Sequence, residues 1–190
     1  MDLKARGNAD STIEGTREVF SAFFNWLQTE HLIENNPCSN LAPIKCLKKE
    51  RLPFTNADIE RMKEKCNSTR DKAIICFLLS SGCRISEVTA LDRKDVNLST
   101  LQCKVLGKGN KERIVYIDDI TALLLQRYFK ERVDDNDALF VSSKNGERIL
   151  PGGVRVMLKR LEERCGVENI HPHRFRRTLA TNLIHRGMPI

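Results

Sequence analysis

The chain has 190 residues, 41% of them apolar, with 32 Lys and Arg against 25 Asp and Glu for a formal charge of +7. That is enough apolar material for one domain, or for one domain and part of another. No run approaches the roughly 18 apolar residues of a membrane helix, and the start, MDLKARGNAD, lacks a signal-peptide core. A soluble, cytoplasmic globular protein with a polyanionic partner is the expectation, with no membrane association. The charge is uneven: from Arg155 onward there are eight basic and three acidic residues, and the last twenty carry four arginines and no acid. Seven cysteines form no C-x-x-C pair, so zinc spacing is absent, and their odd number argues against a complete disulfide framework. Cys76, Cys83 and Cys103 lie in apolar stretches and read as buried, reduced thiols.

In chain order, residues 11–30 read as a helix. Ser11 and Glu14 make a capping-box pattern. Val19, Phe20, Phe23, Trp26 and Leu27 recur at helical spacing as a stripe expected to pack in a core. Glu34-Asn35-Asn36-Pro37 is a turn. Residues 37–53 hold three prolines and the cluster Lys45, Lys48, Lys49 and Arg51, which reads as a basic linker that could drape on DNA. Thr55 and Asp58 resemble an N-cap and its N3 partner for a helix to about Cys66. Residues 71–81 read as a buried helix stopped by Gly82, followed by a short helix over 85–91. The period then changes. Leu101, Cys103 and Val105 alternate with polar residues, a glycine-containing turn follows, and residues 113–117 return as a second strand, together a β-hairpin. Residues 120–132 read as a helix, and Leu139-Phe140-Val141 as a third short strand. Residues 151–165 and 172–186 read as two further helices. The fold class is mainly α with a small antiparallel β-sheet (α+β).

Three segments could carry chemistry. In Ser81-Gly82-Cys83-Arg84-Ile85-Ser86-Glu87, Arg84 opens a helix just past a glycine stop. Glu87 lies three residues on, placed to orient the guanidinium. In Gly107-Lys108-Gly109-Asn110-Lys111-Glu112-Arg113, two glycines put Lys108 at a hairpin tip. In His171-Pro172-His173-Arg174-Phe175-Arg176-Arg177, His173 and Arg176 share a helix face. Singly these are a surface ion pair, a polar turn and a common tetrapeptide. The turn is no nucleotide-binding P-loop, since it lacks G-x-x-x-x-G-K-[ST] and does not run from strand into helix.

Together, in this order, the three segments resemble the tyrosine recombinase (phage integrase) family from about Thr55 to Ile190. The resemblance implies a core-binding-domain helix over 1–36, an interdomain linker over 37–53 and a catalytic domain over 54–190. By position, Arg84 and Arg176 match the two catalytic arginines, Lys108 the hairpin lysine, His173 the histidine or lysine position, and Glu87 the supporting acid. His171 matches no catalytic position. The implied reaction is DNA cleavage and rejoining through a 3′-phosphotyrosyl intermediate. Two permanently charged arginines clamp the non-bridging oxygens where a metal ion would otherwise be needed. Lys108 protonates the leaving 5′-oxygen, with His173 assisting. No metal and no cofactor are expected. Double-stranded DNA is the expected partner, with contacts from Lys48, Lys49, Lys104, Lys111, Arg113, Arg174 and Arg177.

The family's nucleophilic tyrosine follows the second arginine, and this chain stops fourteen residues after Arg176. Its two tyrosines, Tyr116 and Tyr128, stand elsewhere and read as packing residues. The nucleophile is therefore expected outside these 190 residues, with the chain inactive by itself. A homotetramer on paired DNA sites is expected of the full-length protein and a monomer of this fragment. The alternative is a truncated, catalytically silent DNA-binding protein or regulator.

Overall fold

Ala9, not Ser11, precedes the first helix, α1 (Asp10–Thr29), and no side chain caps it. The expected partner, Glu14, is engaged elsewhere: its carboxylate accepts from Arg17 at 2.6 Å and from the Ile44 amide at 2.8 Å. A contact thirty residues away has displaced the local cap. The structure, a computed structural model, describes residues 3–46, 52–107, 109 and 111–188. The chain divides into two compact units, 1–50 and 51–190. In the first, Asn36 pins the segment after α1, donating to the Asn25 side chain at 2.6 Å and accepting from the Cys38 amide at 2.7 Å. The aromatic stripe does not form a core: no side chain of α1 is buried, and Trp26 is 53% exposed.

The second unit runs α2 (Asn56–Glu64), α3 (Thr69–Ser81), α4 (Ile85–Ala90), a 3-10 turn over Arg93–Asp95, β1 (Val96–Asn97), β2 (Gln102–Leu106), β3 (Glu112–Tyr116), α5 (Asp119–Glu131), α6 (Pro151–Cys165) and α7 (Pro172–His185). Thr55 and Asp58 form the anticipated capping box on α2. The apolar run Ala73–Leu78 buries α3 on nearly every side, and α3 packs against both α5 and α7. Gly82 ends it in the left-handed conformation at φ 59°, where a side chain would cost about 1–2 kcal/mol.

The sheet is antiparallel in the order β1-β2-β3, with Cys103 opposite Val115 and Val105 opposite Arg113. Its third strand is Val96–Asn97, too short to show an alternation, and not the expected 139–141. Residues 138–141 make only isolated bridges, Asp92 with Ala138 and Val141 with Arg148. The backbone there is satisfied one group at a time: the Leu139 amide donates to the Leu91 carbonyl at 2.8 Å, and the Val141 amide to the Tyr128 hydroxyl at 3.0 Å. Phe140 stacks on Tyr128, so the apolar run is explained by core packing. Tyr128 is buried as expected, but Tyr116 is 62% exposed, a correction to its reading as a packing residue. In β3 the inward positions are 113 and 115, which turns Tyr116 outward.

Candidate active site

The turn between α3 and α4 organises the site. Gly82 and Cys83 reverse the chain, and Arg84 becomes the N-cap of α4. The Arg84 amide donates to Glu87 Oε2 at 2.7 Å, which satisfies one of the unpaired donors of the helix start. The Arg84 side chain, half exposed, donates through Nη1 to Glu87 Oε1 at 3.1 Å. Glu87 itself is buried.

A second arginine reaches the same carboxylate from the sheet. Arg113, on β3, donates through Nη1 and Nη2 to the two Glu87 oxygens at 2.9 and 2.8 Å, a paired fork. Burial by itself would raise the Glu87 carboxyl. The hydrogen bonds from Arg113 and from the Arg84 amide and side chain outweigh burial and hold it at about 2, against an ordinary value of 4.5. The same pairing raises Arg113 above its already high value. Beneath it the hairpin turn closes with the Gly107 amide donating to the Lys111 carbonyl at 2.8 Å. Lys108, the residue expected to carry the proton, lies outside the described residues.

Helix α7 delivers the third cation. Pro172 at its first position and His171 at its N-cap start it. One turn on, Arg176 Nη1 donates to the Gly82 carbonyl at 3.3 Å, two residues before Arg84. A Cβ at Gly82 would stand 2.8 Å from Leu179 Cδ2, whose tip would have to shift, and in ordinary contact with Arg176 Cγ at 3.9 Å. His173, one turn before Arg176 on the same face, is exposed. The fold thus brings Arg84 and Arg113 to the one ionised carboxylate of Glu87, and Arg176 to the Gly82 carbonyl of the turn that precedes Arg84. Such a surplus of guanidinium donors suits a phosphate diester. Among the described residues no His, Cys, Asp or Glu group could hold a metal ion.

The residues expected to contact DNA separate. Arg174 directs its guanidinium inward, donating to the carbonyls of Leu52 at 3.1 Å, Pro53 at 3.2 Å and Glu168 at 2.5 Å, and lying 4.2 Å over the Phe54 ring. It docks the start of the unit onto α7. Arg113 is likewise committed to Glu87. Lys104 pairs with Glu112 at 2.8 Å on the sheet surface, Lys111 is exposed and Arg177 is half-buried. Lys48 and Lys49 lie outside the described residues. Arg113 is the residue whose role sequence reasoning missed. The signal was its phase, since it shares the inward face of β3 with Val115, and a charge there requires a buried partner.

No helix of the described residues is long and apolar enough to cross a membrane. Over 197 residues the chain is 34% identical to tyrosine recombinase XerC of Herpetosiphon aurantiacus, covering 97% of this chain and 64% of that protein. It is 32% identical to tyrosine recombinase XerD of Oceanobacillus iheyensis over 199 residues, covering 97% and 66%. It therefore spans just under two thirds of these relatives. The fold is that of the Tn1549 transposon integrase solved with circular intermediate DNA (TM-score 0.80, 20% identity, 98% of this chain and 71% of that one). It is also that of XerA recombinase (TM-score 0.68, 23% identity, 91% and 70%). The phage integrase family matches residues 51–190, the whole of the second unit, and the chain belongs to that family.

Proposed function

We propose that this chain carries the phosphate-clamping site of a site-specific DNA recombinase, which cuts and rejoins DNA through a 3′-phosphotyrosyl intermediate. The observation that carries the reading is the meeting of Arg176 with the Gly82 turn that launches Arg84. Arg176, 92 residues after Arg84, bonds the carbonyl two residues before Arg84, and Glu87 holds one nitrogen of Arg84; both support assigning the two arginines to one site. In the transition state, negative charge accumulates on the non-bridging oxygens. Arg84 and Arg176 neutralise it with fixed donors that need no reorganisation and no metal. His173 is assigned to proton transfer or phosphate binding, and Lys108 to protonating the leaving 5′-oxygen. Neither Tyr116, outward on β3, nor buried Tyr128 is assigned as the nucleophile.

The partner is double-stranded DNA in the cytoplasm. The working assembly is a homotetramer on two paired sites, while residues 1–190 alone remain monomeric. The test is covalent trapping of the intact protein on a nicked duplex from which the cleaved fragment diffuses away. Arg84→Ala and Arg176→Ala should each lower adduct formation by more than ~100-fold, with weaker effects on DNA affinity. An intact protein that binds duplex DNA but forms no adduct is instead the catalytically silent regulator.

A further inference from the structure

Glu87 is saturated, and the way it is saturated has a consequence for Arg84. A carboxylate offers about four acceptor positions. Here the Arg84 amide fills one, Arg84 Nη1 another, and the two Arg113 nitrogens the rest. Arg113 holds the favourable parallel fork at 2.8 and 2.9 Å, while Arg84 retains a single, longer side-chain bond at 3.1 Å. Without Arg113, the nearest cation able to form that fork with buried Glu87 is Arg84 itself. Forming it would turn both guanidinium edges of Arg84 toward the protein and away from a phosphate.

The surroundings are built to admit Arg113. Its Nη1 stands 3.0 Å from where a Cβ on Gly107 would lie, so glycine at the hairpin neck leaves room for the guanidinium. Its side chain leaves the inward face of β3 beside the closed Gly107–Lys111 turn. Arg113 is thereby held both by its strand and by the carboxylate.

We propose that Arg113 is a positioning residue for strand cleavage: by taking the paired acceptors of Glu87 it keeps the guanidinium of Arg84 free to face the scissile phosphate. This rests on the recombinase reading of Arg84. Arg113 touches no reacting atom and acts through Glu87 and Arg84. The proposal also replaces the sequence expectation that Arg113 contacts DNA.

The test compares Arg113→Gln, Arg113→Lys and Arg84→Ala in the intact protein on the nicked duplex, measuring DNA affinity and single-turnover adduct rate separately, with melting temperature as a control. Arg113→Gln is expected to slow the chemical step by ~100-fold, the scale of a displaced catalytic group, while affinity changes less than ~3-fold. Arg113→Lys keeps the charge but not the fork, so it should recover little of the rate. In both variants Glu87 loses its strongest stabilising partner, its titration moves up from about 2, and the acid limb of the rate profile moves up with it. Carboxyl-carbon NMR of Glu87 in the 190-residue chain reads that titration without any activity. Adduct rates within ~2-fold of wild type in Arg113→Gln, with Arg84→Ala inactive, would overturn the proposal and leave the recombinase reading standing. So would weaker DNA binding with an unchanged chemical step, the signature of a DNA contact, or a rate loss matched by the unfolded fraction. An active Arg84→Ala would instead remove the recombinase reading itself. If Arg113→Gln does not fold, Gly107→Ala crowds the same guanidinium and serves as the second variant.

Discussion

Glu87 is one buried negative charge paired with two arginines, Arg84 and Arg113, and its protonation sets a pH dependence that belongs to that single residue. Its folded value of about 2 lies below the ordinary 4.5. A depressed carboxylate stabilises the folded state in full above its ordinary value, and that contribution is lost as pH falls from about 5 through 2. Glu87→Gln is expected to cost about 1–3 kcal/mol at pH 7, less than for a fully buried pair, because Arg84 and Arg113 are partly exposed and rehydrate. Urea titration of both proteins should show this gap at pH 7 and a shrinking gap toward pH 2. A gap independent of pH would show that Glu87 is not ionised in the native state. Gly82 acts at the same scale: its positive φ strains any side chain there, and a Cβ would also push the tip of Leu179 aside.

Among the elements, α7 carries His173 and Arg176, so whatever docks α7 places the site. Thr178 does so from the buried face: its hydroxyl accepts from the Phe54 amide at 2.9 Å and donates to the Arg174 carbonyl at 2.8 Å. Phe54 then packs on Phe175 with ring centroids 5.0 Å apart, and Arg174 covers its outer face. Thr178→Val keeps the shape but leaves the buried Phe54 amide without an acceptor, a loss of about 1–3 kcal/mol. Hydrogen exchange at Phe54 should accelerate in this variant while the amides of α5, which takes no part in this hydrogen-bonded dock, stay protected. Uniform acceleration would mean that the residues from 52 to 54 and α7 do not form a separable docking unit.

At the scale of the whole molecule, the charge of +7 and the acid-free last twenty residues suit a polyanion, but many cations are already engaged internally. Arg174, Arg113, Arg132 and Arg148 all bond carbonyls or carboxylates within the protein. Net charge therefore overstates the cations left free for a polyanion. Duplex binding should weaken linearly in log–log form with added salt. Arg84→Ala and Arg176→Ala should each flatten that slope by about one phosphate contact, and Arg174→Ala should not. Binding titrations between 50 and 200 mM salt measure this, and an equal effect of Arg174→Ala would return Arg174 to the DNA-contacting set.

Local features could be read from the residues alone. Thr55 with Asp58, and the glycine stop at Gly82, act within four residues of themselves, and their elements formed as read. The order of the Arg84, Lys108 and Arg176 segments was likewise enough to point to the family. What depended on distant partners was decided only in three dimensions. Ser11 and Glu14 showed the same capping pattern as Thr55 and Asp58, yet Glu14 bonds Arg17 and the Ile44 amide. Residues 139–141 had the composition of a strand, but their amides found the Leu91 carbonyl and the Tyr128 hydroxyl. The exposed stripe of α1 showed helical period without revealing whether anything covered it. Arg113 and Arg174 were cations of unknown direction until folding gave each its acceptors. A guanidinium is indifferent to whether its oxygens come from phosphate, carboxylate or carbonyl, and only tertiary structure determines which of them arrives within hydrogen-bond distance.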